Sequence, residues 1–313
     1  MTNLHNTPHG AMFHHFHGKN YSASQGSIDA DEFKRLITYL SQTKNLLSAS
    51  EFHERHLMGA LENGDTCLTF DDALRCQYDV AMPILDELDL NAFFFIYTSI
   101  FTQNPDYLEI YRCFRHKCFA NVNEFYDIFL DTFLSVSGLR RINIVREFED
   151  SNYLASFSFY SYEDRFFRYI RDVVLDKDAY DQIMIDMMTM KNFDIEMESS
   201  SLWMSEAQIR ELSRKGNIIG LHSHNHPTAM HRLTMEEQRF EYETNARLLR
   251  EVLDLPIHAM AHPCGSYDSK TLRILKSMNI SIGFRSNMDF VQNRSGLEIP
   301  RCDHTTLLAL LSE

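Results

Sequence analysis

Glycine and proline are scarce: eleven and seven in 313 residues. That leaves no material for a long flexible linker or a low-complexity tail. Cysteine is sparse too, and none of Cys67, Cys76, Cys113, Cys118, Cys264 and Cys302 is spaced as CxxC. A thiolate zinc site is therefore weakly supported, and reduced, mostly buried thiols are the expectation. Basic residues fall short of acidic ones, 30 against 44, for a net charge of −14. An acidic chain repels phosphate backbones, which excludes nucleic acid as the expected partner. No apolar run reaches the ~18 residues of a membrane-spanning helix. The stretch Met1–Asn20 is polar and His-rich and lacks the apolar core of a secretory signal, so the polypeptide reads as cytoplasmic.

What is present is ordinary globular material, 44% hydrophobic and 24% charged, enough for a large core. Histidine is the exception. There are fifteen, several of them clustered.

Apolar periodicity organises the chain. Ala11–Phe16 reads as a short strand and Asp29–Gln42 as a helix, with Phe33, Leu36, Ile37 and Leu40 on one face. Thr66–Phe70 is a strand that runs into two aspartates. Ala81–Leu88 is a helix that tolerates Pro83 in its first turn. Ala92–Tyr97 suits a buried strand. From 103 to 200 the strand signals stop, and Asn121–Leu134, Glu163–Val174 and Ala179–Met190 all show helical spacing; we read a mostly helical insertion in a single domain spanning 1–313. Beyond it, Ser205/Gln208 and Thr234/Glu237 form capping boxes, the second opening a helix to about Leu253. Asn217–Leu221, His258–Ala261 and Ser281–Phe284 are strand candidates, and Ser269–Met278 is a helix. Strand–helix alternation on both sides of the insertion predicts an α/β fold with a mostly parallel sheet, whose site lies at the C-terminal strand ends.

Three clusters sit where such a site would form. Thr69-Phe70-Asp71-Asp72 ends the second strand. Adjacent carboxylates repel unless a cation or proton lies between them. Because neighbouring strand residues point oppositely, the pair must lie where the strand breaks into a loop. His222-Ser223-His224-Asn225-His226-Pro227 follows a later strand. Its i, i+4 histidines suggest two imidazoles on one side of a helical turn, suited to chelating one ion. His262-Pro263-Cys264-Gly265 makes a sharp loop whose backbone N–H groups could face a developing oxyanion. An aspartate and two histidines form a two-His, one-carboxylate set.

These motifs resemble, in order, the TFDD, H-[ST]-x-x-H-P and P-Y-G motifs of the NodB-homology polysaccharide deacetylases. Met12-Phe13-His14-His15 resembles the MYH opening of the branch that deacetylates poly-N-acetylglucosamine. The likeness covers roughly 10–102 and 203–302 and omits the insertion. It implies a deformed (β/α) barrel and a metal-dependent hydrolase that removes an N-acyl group, normally acetyl, from an amino sugar. It implies one divalent ion, zinc first, with Ni, Co, Mn or Fe(II) also compatible, held by Asp72, His222 and His226. It makes Asp71 the base, gives the oxyanion to the backbone N–H of Cys264, and assigns the general acid to His14, with His15 its neighbour and His304 a fallback. Three positions depart from the common pattern. Ala73 replaces the usual Gly. Ala261 stands where many members carry an Arg that orients the base, and Arg301 is read as supplying that charge. Cys264 replaces Tyr. The lack of a leader points to a nucleotide- or lipid-linked sugar of surface-glycan synthesis, such as O-antigen, with the insertion shaping a pocket for one end-sugar. Competing expectations are an inactive sugar-binding or scaffold protein on the same fold and an amidohydrolase for a non-sugar amide or formyl group.

Overall fold

The computed structural model describes residues 7–155, 160–292 and 294–311. The polar N-terminal stretch up to residue 6 and residues 156–159 of the helical segment lie outside the described residues. The chain divides into two compact units, Met1–Asp106 with Ser201–Glu313, and Tyr107–Ser200.

The first unit is built on β1 (His9–Phe13), β2 (Asn45–Leu46), β3 (Asp65–Asp71), β4 (Phe93–Ile96), β5 (Ile218–Leu221), β6 (Ala259–Ala261), β7 (Ile282–Phe284) and β8 (Arg301–Asp303). The order is β7-β6-β5-β4-β3-β1-β8, with β2 added beside the start of β3. Every pairing is parallel. A bridge between Phe284 and Ile299 brings the end of β7 to the segment that leads into β8. The sheet thus curls into a nearly closed barrel with helices around it, the deformed (β/α) barrel that the motifs imply.

Strand alternation sorts the side chains. Cys67, Phe93, Phe95, Ala259, Ala261, Ile282, Phe284 and Ile299 pack with one another as the barrel filling. Leu68, Phe70, Phe94, Ile96, Leu221 and Met260 point the other way and pack with Phe33, Leu36, Ile209, Tyr242 and Ile274 of the surrounding helices. Asp71, two residues beyond Thr69 and four beyond Cys67, therefore shares the inward register of β3.

Element boundaries differ from the sequence reading in ways that have physical causes. The first strand ends at Phe13, before the His14-His15 pair, instead of running to Phe16. The helix over Met82–Glu87 is entered through a π-turn at Gln77–Ala81. The helix Ala49–Met58, capped by Ser48 and ended by left-handed Gly59, was not read, because only Ala49 and Phe52 of it are buried. β8, Arg301-Cys302-Asp303, carries two charged residues in three and so shows no apolar run from which a strand could be read. Both capping boxes are formed, and the second helix runs Met235–Leu253.

The second unit is helical: Leu108–Lys117, Val122–Ser137, Arg141–Ser151, Tyr162–Tyr169, Lys177–Met190 and Ile195–Ser199. Its core is aromatic. Phe129 and Phe167 meet edge-on at 4.8 Å, and Phe125 packs against Phe119 and Phe167.

Candidate metal centre and its acid–base partners

β3 ends at Asp71, and Asp72 and Ala73 are both left-handed, with φ of +75° and +56°. This break turns the two adjacent carboxylates to different partners. The backbone N–H of Asp72 still donates to Phe95 across β4 (3.1 Å), and the Ala73 carbonyl accepts from Met204 (2.8 Å), so the strained turn is pinned on both sides.

Asp71 is taken by Arg301. Two parallel bonds, Nη1 to Oδ1 at 2.6 Å and Nη2 to Oδ2 at 2.7 Å, hold the carboxylate, while Nε donates to the Arg285 carbonyl at 2.6 Å. Arg301 is 1% exposed and its guanidinium lies over the Phe95 ring. Gly10 makes room for it: a Cβ there would stand 3.2 Å from the Arg301 Cγ and 2.9 Å from the Thr69 methyl. Burial pushes the Asp71 carboxyl up, but Arg301, aided by His222 and His14, outweighs burial and holds it below its ordinary value.

Asp72 faces the histidines. Its Oδ1 lies 3.5 Å from His222 Nε2 and 3.3 Å from His226 Nε2, and the ligand atoms of the three buried residues lie within 4.8 Å of one another. Burial raises the Asp72 carboxyl, and His226 and His222 more than reverse this. Burial likewise lowers His222, yet Asp71 and Asp72 leave it above its ordinary value, whereas His226 stays lowered because burial dominates there. Two observations fit this set to a divalent cation. Asp72 Oδ1 is buried with no hydrogen-bond partner. His222 Nδ1 sits 2.9 Å from the Ala261 carbonyl, an acceptor only, so Nδ1 carries the proton and Nε2 presents a lone pair.

The histidines do not converge through a helical turn, as their spacing suggested. Residues 222–227 form a loop, with Ser223 and His226 left-handed at φ +64° and +52°. Ser223 Oγ accepts from the His226 N–H at 3.1 Å, and the rings end 4.8 Å apart. Glu241 clamps this loop. Its Oε2 accepts from the His224 and Asn225 N–H groups (2.9 and 2.7 Å), and its Oε1 from Asn225 Nδ2 (2.8 Å). Asn245, one turn on, accepts from the His222 N–H (3.0 Å) and donates to the Ile96 carbonyl (2.9 Å).

His14 lies on the open side of Asp71, Nε2 to Oδ2 3.6 Å, with its side chain 27% exposed. Gln77 Nε2 ties the His14 and Asp71 carbonyls together (2.9 and 2.6 Å). The His15 ring is parallel to that of His14 with centroids 6.3 Å apart. His304 does not suit the fallback role. It is buried against Phe13, with Nε2 2.8 Å from the Gly26 carbonyl and Nδ1 3.3 Å from that of Met12. Burial lowers its pKa. Cys264 is exposed at the apex of a turn, left-handed at φ +52° and followed by left-handed Gly265 at +64°. Ser266 N–H closes that turn on the Pro263 carbonyl at 2.9 Å, and His262 beneath it stacks on Tyr267.

Glu241, Asn245, Gln77 and Gly10 were missed in the sequence. A signal existed for the first two. Gln238, Glu241 and Asn245 interrupt the inward face that Tyr242, Ala246, Leu249 and Val252 define. Polar residues on an apolar face need buried partners.

Residues 185–283 match the polysaccharide deacetylase family model. That span holds the His222–Pro227 and Pro263–Gly265 motifs. The fold is similar to that of the deacetylase PplD of Streptococcus pyogenes in complex with acetate (16% identity, TM-score 0.55, 95% of this chain and 92% of that one). It is similar to IcaB from Ammonifex degensii (15%, 0.55, 98% of each) and to the BpsB deacetylase domain from Bordetella bronchiseptica (15%, 0.51, 96% of each). No curated protein matches the chain in sequence.

Proposed function

We propose that this chain, which carries a polysaccharide deacetylase domain of the NodB-homology kind, hydrolyses the N-acetyl amide of an amino sugar. The carrying observation is the juxtaposition at the strand ends. Asp72, His222 and His226 converge, while Asp71, ionised by its fork with Arg301, lies 3.8 Å from His222.

In this reading Asp72, His222 and His226 would hold one divalent cation, zinc first, and it would supply Lewis acidity to the amide and the attacking water. Asp71 accepts the proton of that water. Arg301 fixes the direction of its lone pairs, the role that Ala261 cannot fill. His14, partly exposed beside Asp71, delivers a proton to the leaving amine, with His15 next to it. The Cys264 N–H, set by its left-handed turn, donates to the oxyanion. An amino sugar bound for a surface glycan, presented on a nucleotide or lipid carrier as in O-antigen synthesis, is the substrate class we favour.

Incubating metal-loaded protein with a panel of nucleotide- and lipid-linked acetamido sugars and following mass tests this. Loss of one acetyl group with matching acetate release is expected. Acetate release from simple amides but from no sugar would turn the reading toward a non-sugar amidohydrolase.

A further inference from the structure

The helical unit carries a surface feature that the deacetylation reading does not use. Between the helices Val122–Ser137 and Arg141–Ser151 the chain turns through Gly138, left-handed at φ +65°. Three large apolar side chains stand out from this tip within seven residues: Val136 is 60%, Leu139 49% and Ile142 74% exposed. Arg140, Arg141 and Arg146 are exposed beside them, and among the described residues none of the three enters an ion pair. From Thr132 to Arg146 the sequence holds no acidic residue, although acidic residues outnumber basic ones by fourteen in the whole chain. The acids resume at Asp131 and Glu147.

The tip also breaks local rules. Arg140 is the N-cap and Arg141 the first residue of the second helix, with no side-chain cap and no acidic residue in the first turn. Cations at a helix N-terminus oppose its dipole, and an uncapped start leaves its first N–H groups without a side-chain acceptor. Residues that work against their own helix are expected where a function is served.

We propose that this tip docks on an anionic lipid bilayer, with Val136, Leu139 and Ile142 entering the interface and Arg140, Arg141 and Arg146 meeting lipid phosphates. Exposed aliphatic side chains next to exposed arginines at a turn suit the boundary of headgroup and acyl chain. The three arginines, without ion-pair partners among the described residues and set in an acid-free run, are complementary in charge to an anionic headgroup surface. The net charge of the chain is −14, so an acid-free, arginine-bearing segment is where attraction to an anionic surface concentrates. The inference does not depend on the reaction proposed above.

The test is flotation of the full chain with vesicles of phosphatidylcholine alone and of phosphatidylcholine with phosphatidylglycerol. Partitioning onto the anionic vesicles is expected to exceed that onto neutral ones by about tenfold or more and to fall with added salt. Arg140→Glu with Arg141→Glu removes that excess. Ile142→Asp weakens binding, whereas Met58→Asp, at an equally exposed apolar site in the barrel unit (77% exposed), leaves it unchanged. A Leu139→Trp variant gives a blue shift on binding. Equal partitioning onto both vesicle types, binding that survives the double charge reversal, or lipid-free self-association that Ile142→Asp abolishes would each overturn the proposal. Far-ultraviolet circular dichroism of every variant separates lost binding from lost folding.

Discussion

Two neighbouring residues, Asp71 and Asp72, receive opposite surroundings, and this separates their chemistry. A guanidinium fork is the reason that Asp71 stays ionised although buried. Arg301→Gln removes it, so burial then dominates and the Asp71 carboxyl rises. In the proposed mechanism Asp71 accepts a proton and so acts only when deprotonated, and the acid limb of the kcat/KM profile should move to higher pH. Stability should fall by about 3–5 kcal/mol, the usual cost of stranding a buried charge. An acid limb that does not move would remove Arg301 from the account. Arg301→Lys keeps the charge but cannot form both bonds, and a loss of about tenfold or more in kcat is expected. Ala73 makes a second prediction at this scale. A left-handed alanine costs about 1–2 kcal/mol, and glycine there returns about 0.5–1 kcal/mol of that as entropy of the unfolded chain. Ala73→Gly should therefore raise stability by roughly 0.5–1 kcal/mol in urea denaturation, and a loss would show that the Cβ contact matters more than φ. The Asp pair was legible because its chemistry is local. The partner Arg301 was named from its motif, but the room that Gly10 gives it is a cross-strand fact that no local pattern shows.

At the scale of elements, the long helix Met235–Leu253 governs the histidine loop. Glu241 holds two backbone N–H groups and one side-chain amide in a loop that has two left-handed residues and no regular structure of its own. Glu241→Gln keeps the size but replaces an accepting oxygen with a donor, so one of those bonds is lost. Zinc affinity, read by competition with a chromophoric chelator, should weaken about 10–100-fold, the typical cost of losing a supporting shell. Unchanged affinity would mean that the loop holds its shape unaided. The element reading shows where sequence signals end. Capping boxes at Ser205 and Thr234 fixed two helix starts, since each is a local hydrogen-bond arrangement. The i, i+4 spacing of His222 and His226 predicted convergence and gave the wrong cause, because left-handed φ at Ser223 and His226 is imposed by Glu241, Asn245 and the end of β4. β8 escaped because Arg301-Cys302-Asp303 puts two charged residues in three and leaves no apolar run to mark a strand, unlike the equally short β6 and β7.

For the whole molecule, alternation pointed to a mostly parallel α/β sheet with its site at the strand ends, the barrel followed only from the family resemblance, and closure through the Phe284–Ile299 bridge was legible in neither. Folding buries His262, and this sets an acid limit. His262 is fully buried, and burial above all lowers its pKa from 6.5 to about 4. Its folded value lies below its unfolded value, so the stabilisation is complete above pH 6.5 and drains away as pH falls toward 4, by about 3 kcal/mol. Urea denaturation across that range should show the decline, and His262→Gln should flatten it; an equal slope in the variant would assign the decline elsewhere. The account rests most heavily on the division of labour between Asp71 and the Asp72, His222 and His226 set, and one preparation of Asp71→Asn examines it. Metal content and amine release from an acetamido sugar are measured on the same sample beside wild type. The account predicts near-wild-type metal content with kcat reduced by about 10²–10⁴-fold, the usual worth of a general base. Full metal with near-wild-type turnover would contradict it.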